Sequence, residues 1–418
     1  MLGAVGGPDG IGPAPVSLDS TNLAAILSSG IAATAAALGL YRPDVCVERR
    51  RAFANVTVTG IAAFPVVLVV LGSFHLNVTG HALAWLSALL TIWLGCILVT
   101  HLAFAELMQR NPLARKVLVV GSGIQANRVA ETMLRCHGAF FDPITAAPDK
   151  DRLSSGALRE QRVWGVVVAG ATGEATPELL DGKLRGLRIF DERTFCERHL
   201  GRIDLDSVDE NWLLFADGFV SGHLGDTVKR GLDIASSLCL LVLTLPLMLI
   251  TAALIKLDSP GPVFYRQSRV GFDGKPFTLL KFRSMALDAE AGGKPRWAQV
   301  RDPRITRVGS FIRPMRIDEL PQLLNVLRGE MSMIGPRPER PHFVEQLARV
   351  IPFYHHRAYV KPGLTGWAQV NYPYGASVED AREKLAYDLY YVKNRNLLLD
   401  LLILVSTIRV ILFREGAR

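Results

Sequence analysis

Three apolar stretches within the first 104 residues limit the fold more than any other feature. They are NLAAILSSGIAATAAALGLY (22–41), AFANVTVTGIAAFPVVLVVLGSF (52–74) and ALAWLSALLTIWLGCILVTHLAF (82–104). Each supplies the roughly 20 residues a helix needs to cross a hydrocarbon core, where a helix can satisfy its own backbone groups without neighbours. Transmembrane helices are therefore expected within 22–108, after an N-terminal polar segment at 1–21. The first twenty residues contain no Lys or Arg, unlike the n-region of a signal peptide. The loop RPDVCVERRR carries Arg42, Arg49, Arg50 and Arg51, whereas the loop HLNVTGH carries no Lys or Arg. The positive-inside rule then sets the first loop in the cytoplasm and the second outside, with the N-terminus outside too. The third span delivers the chain to the cytoplasm.

A mean hydropathy of +0.24 fits a membrane protein better than an ordinary soluble enzyme. The net charge of +8 has two readings, cytoplasmic surfaces facing anionic headgroups or nucleic-acid binding. No run interleaves basic and aromatic residues in a nucleic-acid-binding pattern, so no nucleic-acid partner is expected. The cysteines at 46, 96, 136, 196 and 239 form no C-x-x-C pair, which points to reduced thiols rather than disulfides or zinc.

Residues 116–134, KVLVVGSGIQANRVAETML, read as an apolar strand, a glycine turn (Gly121, Gly123, Ala126) and an amphipathic helix. This is the outline of a dinucleotide-binding βαβ start. No well-placed acidic residue follows an evident second strand, so a structural or regulatory Rossmann-like cytoplasmic domain over 115–222 is favoured over a catalytic NAD site. The Asp-x-Asp in IDLDS reads as an ordinary turn.

A fourth apolar stretch, 235–257, has basic residues on both sides (Lys229 and Arg230; Lys256, Arg266 and Arg269) and Pro246 in its middle. Proline removes one helical hydrogen bond and disturbs the straight course. The expectation is a re-entrant helix over 230–257, broken at Pro246, that returns to the side it came from; a kinked full span is the alternative. Near the C-terminus, 396–413 interrupts its apolar run with Asp400 and Arg409, as a helix lying in the interface would.

The segment MRIDELPQLLNVLRGEMSMIGPRPE (315–339) sets Asp318 and Glu319 side by side before a helix with Leu320, Leu323, Leu324 and Leu327 on one face. Pro321 suits that helix's first turn and Gly329 its C-terminal cap. Two carboxylates at a helix N-terminus stay ionised, yet they repel one another unless cations intervene. Arg301, Arg304, Arg307, Arg313 and Arg316 lie upstream, Arg337 downstream, and Lys281 and Arg283 come from LLKFRSM. Carboxylates among guanidinium groups suit the handling of a diphosphate with Mg2+, one carboxylate attacking phosphorus and the other holding the metal. A capped helix with a basic face against anionic lipid explains the charge alone equally well.

Longer blocks add to this reading: KRGLDIASS, SPGPVFYRQSRVGFDGKPFTLLKFRSM, RIDELPQLLNVLRGEMSMIGPRPE, VKPGLTGWAQVN and YDLYYVKN. With them, residues 225–418 resemble the bacterial sugar transferases, monotopic polyprenol-phosphate phosphoglycosyl transferases. The whole chain is similar to the long, multi-pass members that start exopolysaccharide repeats, and its C-terminal block to the exosortase (PEP-CTERM) associated sugar transferases. The resemblance implies a membrane α plus α/β architecture, ending in a mostly helical phosphoglycosyl transferase domain, in a bacterial inner membrane with the catalytic domain facing the cytoplasm. It implies transfer of a sugar 1-phosphate from a UDP-sugar, UDP-glucose or a related UDP-hexose, to undecaprenyl phosphate. UMP leaves and a covalent aspartyl phosphosugar is passed through. Carried over by position, Asp318 is the nucleophile and Glu319 a Mg2+ ligand, with Arg313, Arg337, Lys281 and Arg283 around the substrate phosphates. Membrane lipids are the remaining partner, and a homodimer stays open. The chain departs from the family in having Leu245-Pro246 where Ser-Pro is common, and three N-terminal spans where four or more are common.

Rival classes make different predictions. A membrane-bound NAD-dependent sugar-nucleotide dehydratase or epimerase needs a Tyr followed four residues later by Lys, which the chain lacks. A non-catalytic polysaccharide-assembly scaffold would tolerate Asp318→Asn. A polytopic phosphoglycosyl transferase needs many more spans.

Overall fold

A computed structural model of the chain describes residues 26, 28–32, 34–35, 56, 59–60, 63, 80–109, 114–138, 140–146, 155–170, 177–219, 222–286, 302–373, 375 and 377–412. They fall into two compact units, Met1–Glu106 and Leu107–Arg418. In the first unit, the apolar stretch expected at 82–104 lies inside one helix, α1 (Gly80–Gln109). The stretches at 22–41 and 52–74 fall mostly outside the described residues. Those that are described bury Ala35 and Val56 against Trp93, Leu94, Ile97 and Leu98 of α1.

The second unit begins with an α/β layer. Arg115–Val120 ends in four apolar, buried residues, which suits a strand covered on both faces, and it forms β1. After it come α2 (Gly123–His137), β2 (Phe141–Ala146), α3 (Ser155–Glu160), β3 (Gly165–Val168), α4 (Pro177–Leu184) and β4 (Arg188–Asp191). The four strands are parallel in the order β2-β1-β3-β4. Alternation along β1 sends Val117 and Val119 to one core with Val129 and Met133 of α2. It sends Leu118 and Val120 to the other, with Leu158 of α3 and Leu179 of α4. Gly121 is fixed by crowding, since a Cβ there would lie 2.8 Å from the carbonyl oxygen of Ala169. This gives the glycine turn a packing reason that involves no ligand.

The chain then passes through α5 (Glu192–Phe195), a π-helical turn at Cys196–Leu200 and α6 (Glu210–Phe215). The Asp-x-Asp pair is a turn bound to its surroundings: Asp206 pairs with Arg128 and Arg382, and Asp204 lies 3.6 Å from Arg128.

α7 (His223–Asp258) follows. Within it, Leu224–Asp258 is the one stretch among the described residues long and apolar enough to cross a membrane. It is continuous through Pro246, so the expected break is not an interruption of the helix. Pro246 has no N–H for the carbonyl of Val242, and the Thr244 hydroxyl does not substitute for it, donating instead to Leu240 O (2.7 Å). Both ends of α7 are gripped by the same unit. At its start, Arg230 donates to the carbonyls of Val326 (2.7 Å) and Leu327 (2.8 Å). One turn on, Asp233 accepts from the hydroxyl of Ser332 and the amide of Met333, both at 3.0 Å. At its end, Arg283 donates to Ser259 O (2.7 Å), Ser259 Oγ (2.9 Å) and Pro260 O (2.8 Å). Leu241, Met248 and Ile255 face the unit, while Val242, Leu243, Leu249 and Ile250 stay exposed on the far side.

A hairpin of β5 (Phe264–Val270) and β6 (Pro276–Phe282) comes next. Then follow α8 (Arg307–Ile312), a 3-10 turn at Ile317–Glu319, α9 (Gln322–Arg328), β7 (Ser332–Ile334) and α10 (Pro341–Ala348). After a second 3-10 segment at Tyr354–Tyr359, the chain ends in β8 (Gly363–Thr365), α11 (Trp367–Asn371), α12 (Val378–Asn394) and α13 (Leu397–Leu412). β8 pairs in parallel with β7. The core of this part joins Leu279, Leu323, Val326, Met333, Tyr391 and Ile403. Asp400 does not face an interface as a lone polar residue: it is buried, accepting from Tyr391 Oη (2.8 Å) and Lys229 Nζ (2.7 Å).

Candidate active site

The dyad lies one step earlier than the leucine pattern suggests. Asp318 and Glu319 belong to the 3-10 turn Ile317–Glu319, entered through Arg316 in the left-handed region (φ 57°), and α9 starts only at Gln322. Gly329 caps α9 as expected, with φ 84°. The buried face of α9 is Gln322, Leu323, Asn325 and Val326, because the helix is wedged between β6, α7 and β7 and Asn325 is needed inward. Its side chain accepts from Leu280 N (3.0 Å) and donates to Thr278 O (2.8 Å) and Glu330 Oε2 (2.7 Å). That amide ties α9 to β6, the strand that carries Lys281, and so sets Lys281 against the dyad.

The two carboxylates are equally buried, Asp318 at 8% and Glu319 at 7% exposure, yet their surroundings differ. Glu319 accepts from Arg337 Nη2 (2.7 Å) and Lys281 Nζ (3.2 Å) on one oxygen and from Arg316 Nη1 (3.4 Å) on the other. Burial works against its charge, but Arg337, Lys281 and Arg316 outweigh burial and hold the carboxyl well below the usual range. Asp318 accepts no hydrogen bond among the described residues. Burial and the adjacent Glu319 charge push it up to about 6, against the weaker pull of Lys281, Arg313 and Arg337. Like charges side by side have thus divided: one is fixed as an anion, the other is a carboxylate of raised basicity with both oxygens uncommitted.

The expected cations divide as well. Lys281, Arg313 and Arg337 gather around the dyad. Lys281 is lowered by burial, with Glu319 opposing. Arg313, which follows α8, makes no side-chain hydrogen bond or ion pair among the described residues and acts on Asp318 through space. Arg283 does not join them: it is buried, with its guanidinium spent on the carbonyls at the end of α7. Arg304 is drawn to Asp302 (2.5 Å), and Arg301 lies outside the described residues. Three contributors were not singled out from the sequence: Gln369, which accepts from Arg337 Nη1 (3.1 Å), and the half-buried arginines Arg269 and Arg357 behind the Pro336–Glu339 turn. For a metal, no group of three His, Cys, Asp or Glu side chains converges among the described residues. The dyad offers hard oxygen donors only, a set that fits Mg2+ when substrate phosphates and water complete the shell.

An ionised, unpaired carboxylate beside a cation-bound one is suited to in-line displacement at a phosphorus atom. The likeness to known proteins agrees with this. A sequence profile of the bacterial sugar transferase family matches residues 224–414. Over 384 residues the chain is 32% identical to the undecaprenyl-phosphate glucose phosphotransferase of Komagataeibacter xylinus, covering 86% of this chain and 70% of that protein. The chain therefore belongs to the bacterial sugar transferase family. It is also 47% identical over 235 residues to the UDP-N-acetylgalactosamine-undecaprenyl-phosphate N-acetylgalactosaminephosphotransferase of Aeromonas hydrophila, which spans 56% of this chain and 55% of that relative. Over 194 residues it is 44% identical to the UDP-glucose:undecaprenyl-phosphate glucose-1-phosphate transferase of Caulobacter vibrioides, 46% of this chain and 72% of that one.

Proposed function

We propose that the chain transfers a sugar 1-phosphate from a UDP-sugar to undecaprenyl phosphate, releasing UMP and forming undecaprenyl-diphospho-sugar, the first step of an exopolysaccharide repeat. The observation that carries this is the divided dyad, a buried, unbonded Asp318 of raised basicity beside a Glu319 held anionic by three cations. In the first displacement an Asp318 oxygen bonds to the sugar-bearing phosphorus, and the bond from that phosphorus to the UMP oxygen breaks. In the second, a phosphate oxygen of undecaprenyl phosphate bonds to the same phosphorus and the Asp318 carboxylate leaves. At pH 7 a carboxyl of pKa about 6 is about nine-tenths ionised, so Asp318 needs no separate base. Lys281, Arg313 and Arg337 neutralise the phosphate charge in both steps. Glu319, with Asp318 nearby, would hold Mg2+, which when bound draws charge from the diphosphate and aids departure of UMP.

The site also bears on where the chain sits. α7 offers an apolar outer face while both of its ends are held by one unit, which supports a re-entrant helix with donor nucleotide and lipid headgroup on the same, cytoplasmic side. The apolar stretches at 22–41, 52–74 and 82–104 are read as inner-membrane spans, and the β2-β1-β3-β4 sheet as a Rossmann-like cytoplasmic domain. The names of the relatives support UDP-glucose or UDP-N-acetylgalactosamine as donor. The test is UMP release by membranes given each UDP-sugar, Mg2+ and undecaprenyl phosphate. Wild type releases UMP and Asp318→Asn does not; equal release by the variant, or UDP in place of UMP, overturns the mechanism.

A further inference from the structure

The turn that carries Arg337 contains Pro336 and Pro338, so two of its residues lack the N–H that would tie them to neighbouring backbone. Its carbonyls are instead held from outside, all four of them. Pro336 O accepts from Gly363 N (2.9 Å) and Glu339 O from Val270 N (2.9 Å). The two in the middle are held by half-buried guanidinium groups: Pro338 O by Arg269 Nη1 (3.0 Å) and Arg337 O by Arg357 Nη2 (2.9 Å). Arg357 is in turn anchored by Asp388 of α12 (2.7 Å) and by the hydroxyl of Tyr354 (3.0 Å). Burying such an ion pair costs desolvation that hydrophobic packing would avoid, so a pair spent on one carbonyl points to a need for position rather than for stability.

We infer that Arg357, charge-balanced by Asp388, is a positioning residue that fixes the Arg337 backbone so that its guanidinium reaches Glu319 and the substrate phosphates. The inference rests on the functional reading above. Arg337 stands between two prolines, each of which fixes its own φ, so the direction of its side chain follows from where its carbonyl is pinned. Lysine at 357 would keep the charge, but one ammonium lacks the planar fork that meets Asp388, Tyr354 and Arg337 O together.

The test uses the full chain in lipid nanodiscs, with UMP release measured for Arg357→Lys, Asp388→Asn, Arg337→Ala and the double variant Arg337→Ala/Arg357→Lys. UDP-glucose, UDP-N-acetylgalactosamine and undecaprenyl phosphate are the substrates. Arg357→Lys is expected to lower kcat about 100-fold, the scale of a misplacement near 1 Å, with KM for undecaprenyl phosphate unchanged. In the Arg337→Ala background the same substitution costs nothing further. An equal cost in both backgrounds, or a loss that only follows the folded fraction seen by circular dichroism, overturns the positioning role. If Asp388→Asn fails to fold, the Arg357→Lys cycle alone decides. A wild-type chain that releases no UMP overturns the functional reading instead.

Discussion

Replacing the proposed nucleophile by its isostere should make the protein more stable. Asp318 titrates near 3.8 as an unperturbed group and at about 6 in the fold, raised by burial and by Glu319. A raised carboxyl contributes stability that is fully present below 3.8 and is lost as pH rises through about 6. The full difference of about two pH units corresponds to about 3 kcal/mol. At 8% exposure solvent screening removes little of it. Asp318→Asn keeps the shape and drops the charge, so its advantage grows from about 1 kcal/mol at pH 4.5 to about 3 kcal/mol at pH 7.5. For a unit of this size that is a rise in Tm of about 6 °C at the higher pH. Differential scanning fluorimetry of both proteins in the same nanodiscs, with chelator to remove divalent cations, measures it. A variant no more stable than wild type at pH 7.5, or an increment that does not change with pH, would refute the account of the dyad.

Glu319→Gln, one residue away, has the opposite sign: it strands Lys281, Arg337 and Arg316 beside a lost anion and should cost about 3 to 5 kcal/mol in denaturant unfolding. For UMP release, kcat/KM should be level above pH 7 and fall tenfold per unit below about 6, as Asp318 takes up its proton; a level profile down to pH 5 would exclude Asp318 as the ionising group. Arg283→Met should lower Tm by leaving the end of α7 uncapped, while KM for the UDP-sugar in the folded fraction stays unchanged. A raised KM would return Arg283 to the phosphate site.

The sequence was most informative where chemistry and local pattern coincide. The gathering of Lys281, Arg313 and Arg337 around Asp318 and Glu319 was legible because carboxylates and cations stand in short, dense motifs, and β1 because it ends in four apolar residues, Val117 to Val120. Arg283 was misplaced because its neighbours in sequence are site residues, while its neighbours in space are the carbonyls of Ser259 and Pro260. The leucine stripe of α9 misled because three elements surround that helix, so burial follows Asn325 and Val326 rather than one apolar face. Asp388, Arg357 and Gln369 carried no sign of their partners in the sequence: Gln369 stands 32 residues from Arg337 and Arg357 stands 20 from it, and only the folded turn brings them together.

The clasps on α7 also bear on how the protein is made. Arg283, β7 and α9 all lie downstream of the helix they grip, so the ribosome releases this long apolar segment before anything exists to hold its ends. During synthesis that segment must wait in lipid or on a chaperone, its orientation undecided, until the later residues arrive and close on both termini. Biogenesis, rather than chemistry, is then the stage at which loss of Arg283 or Asp233 would first be felt.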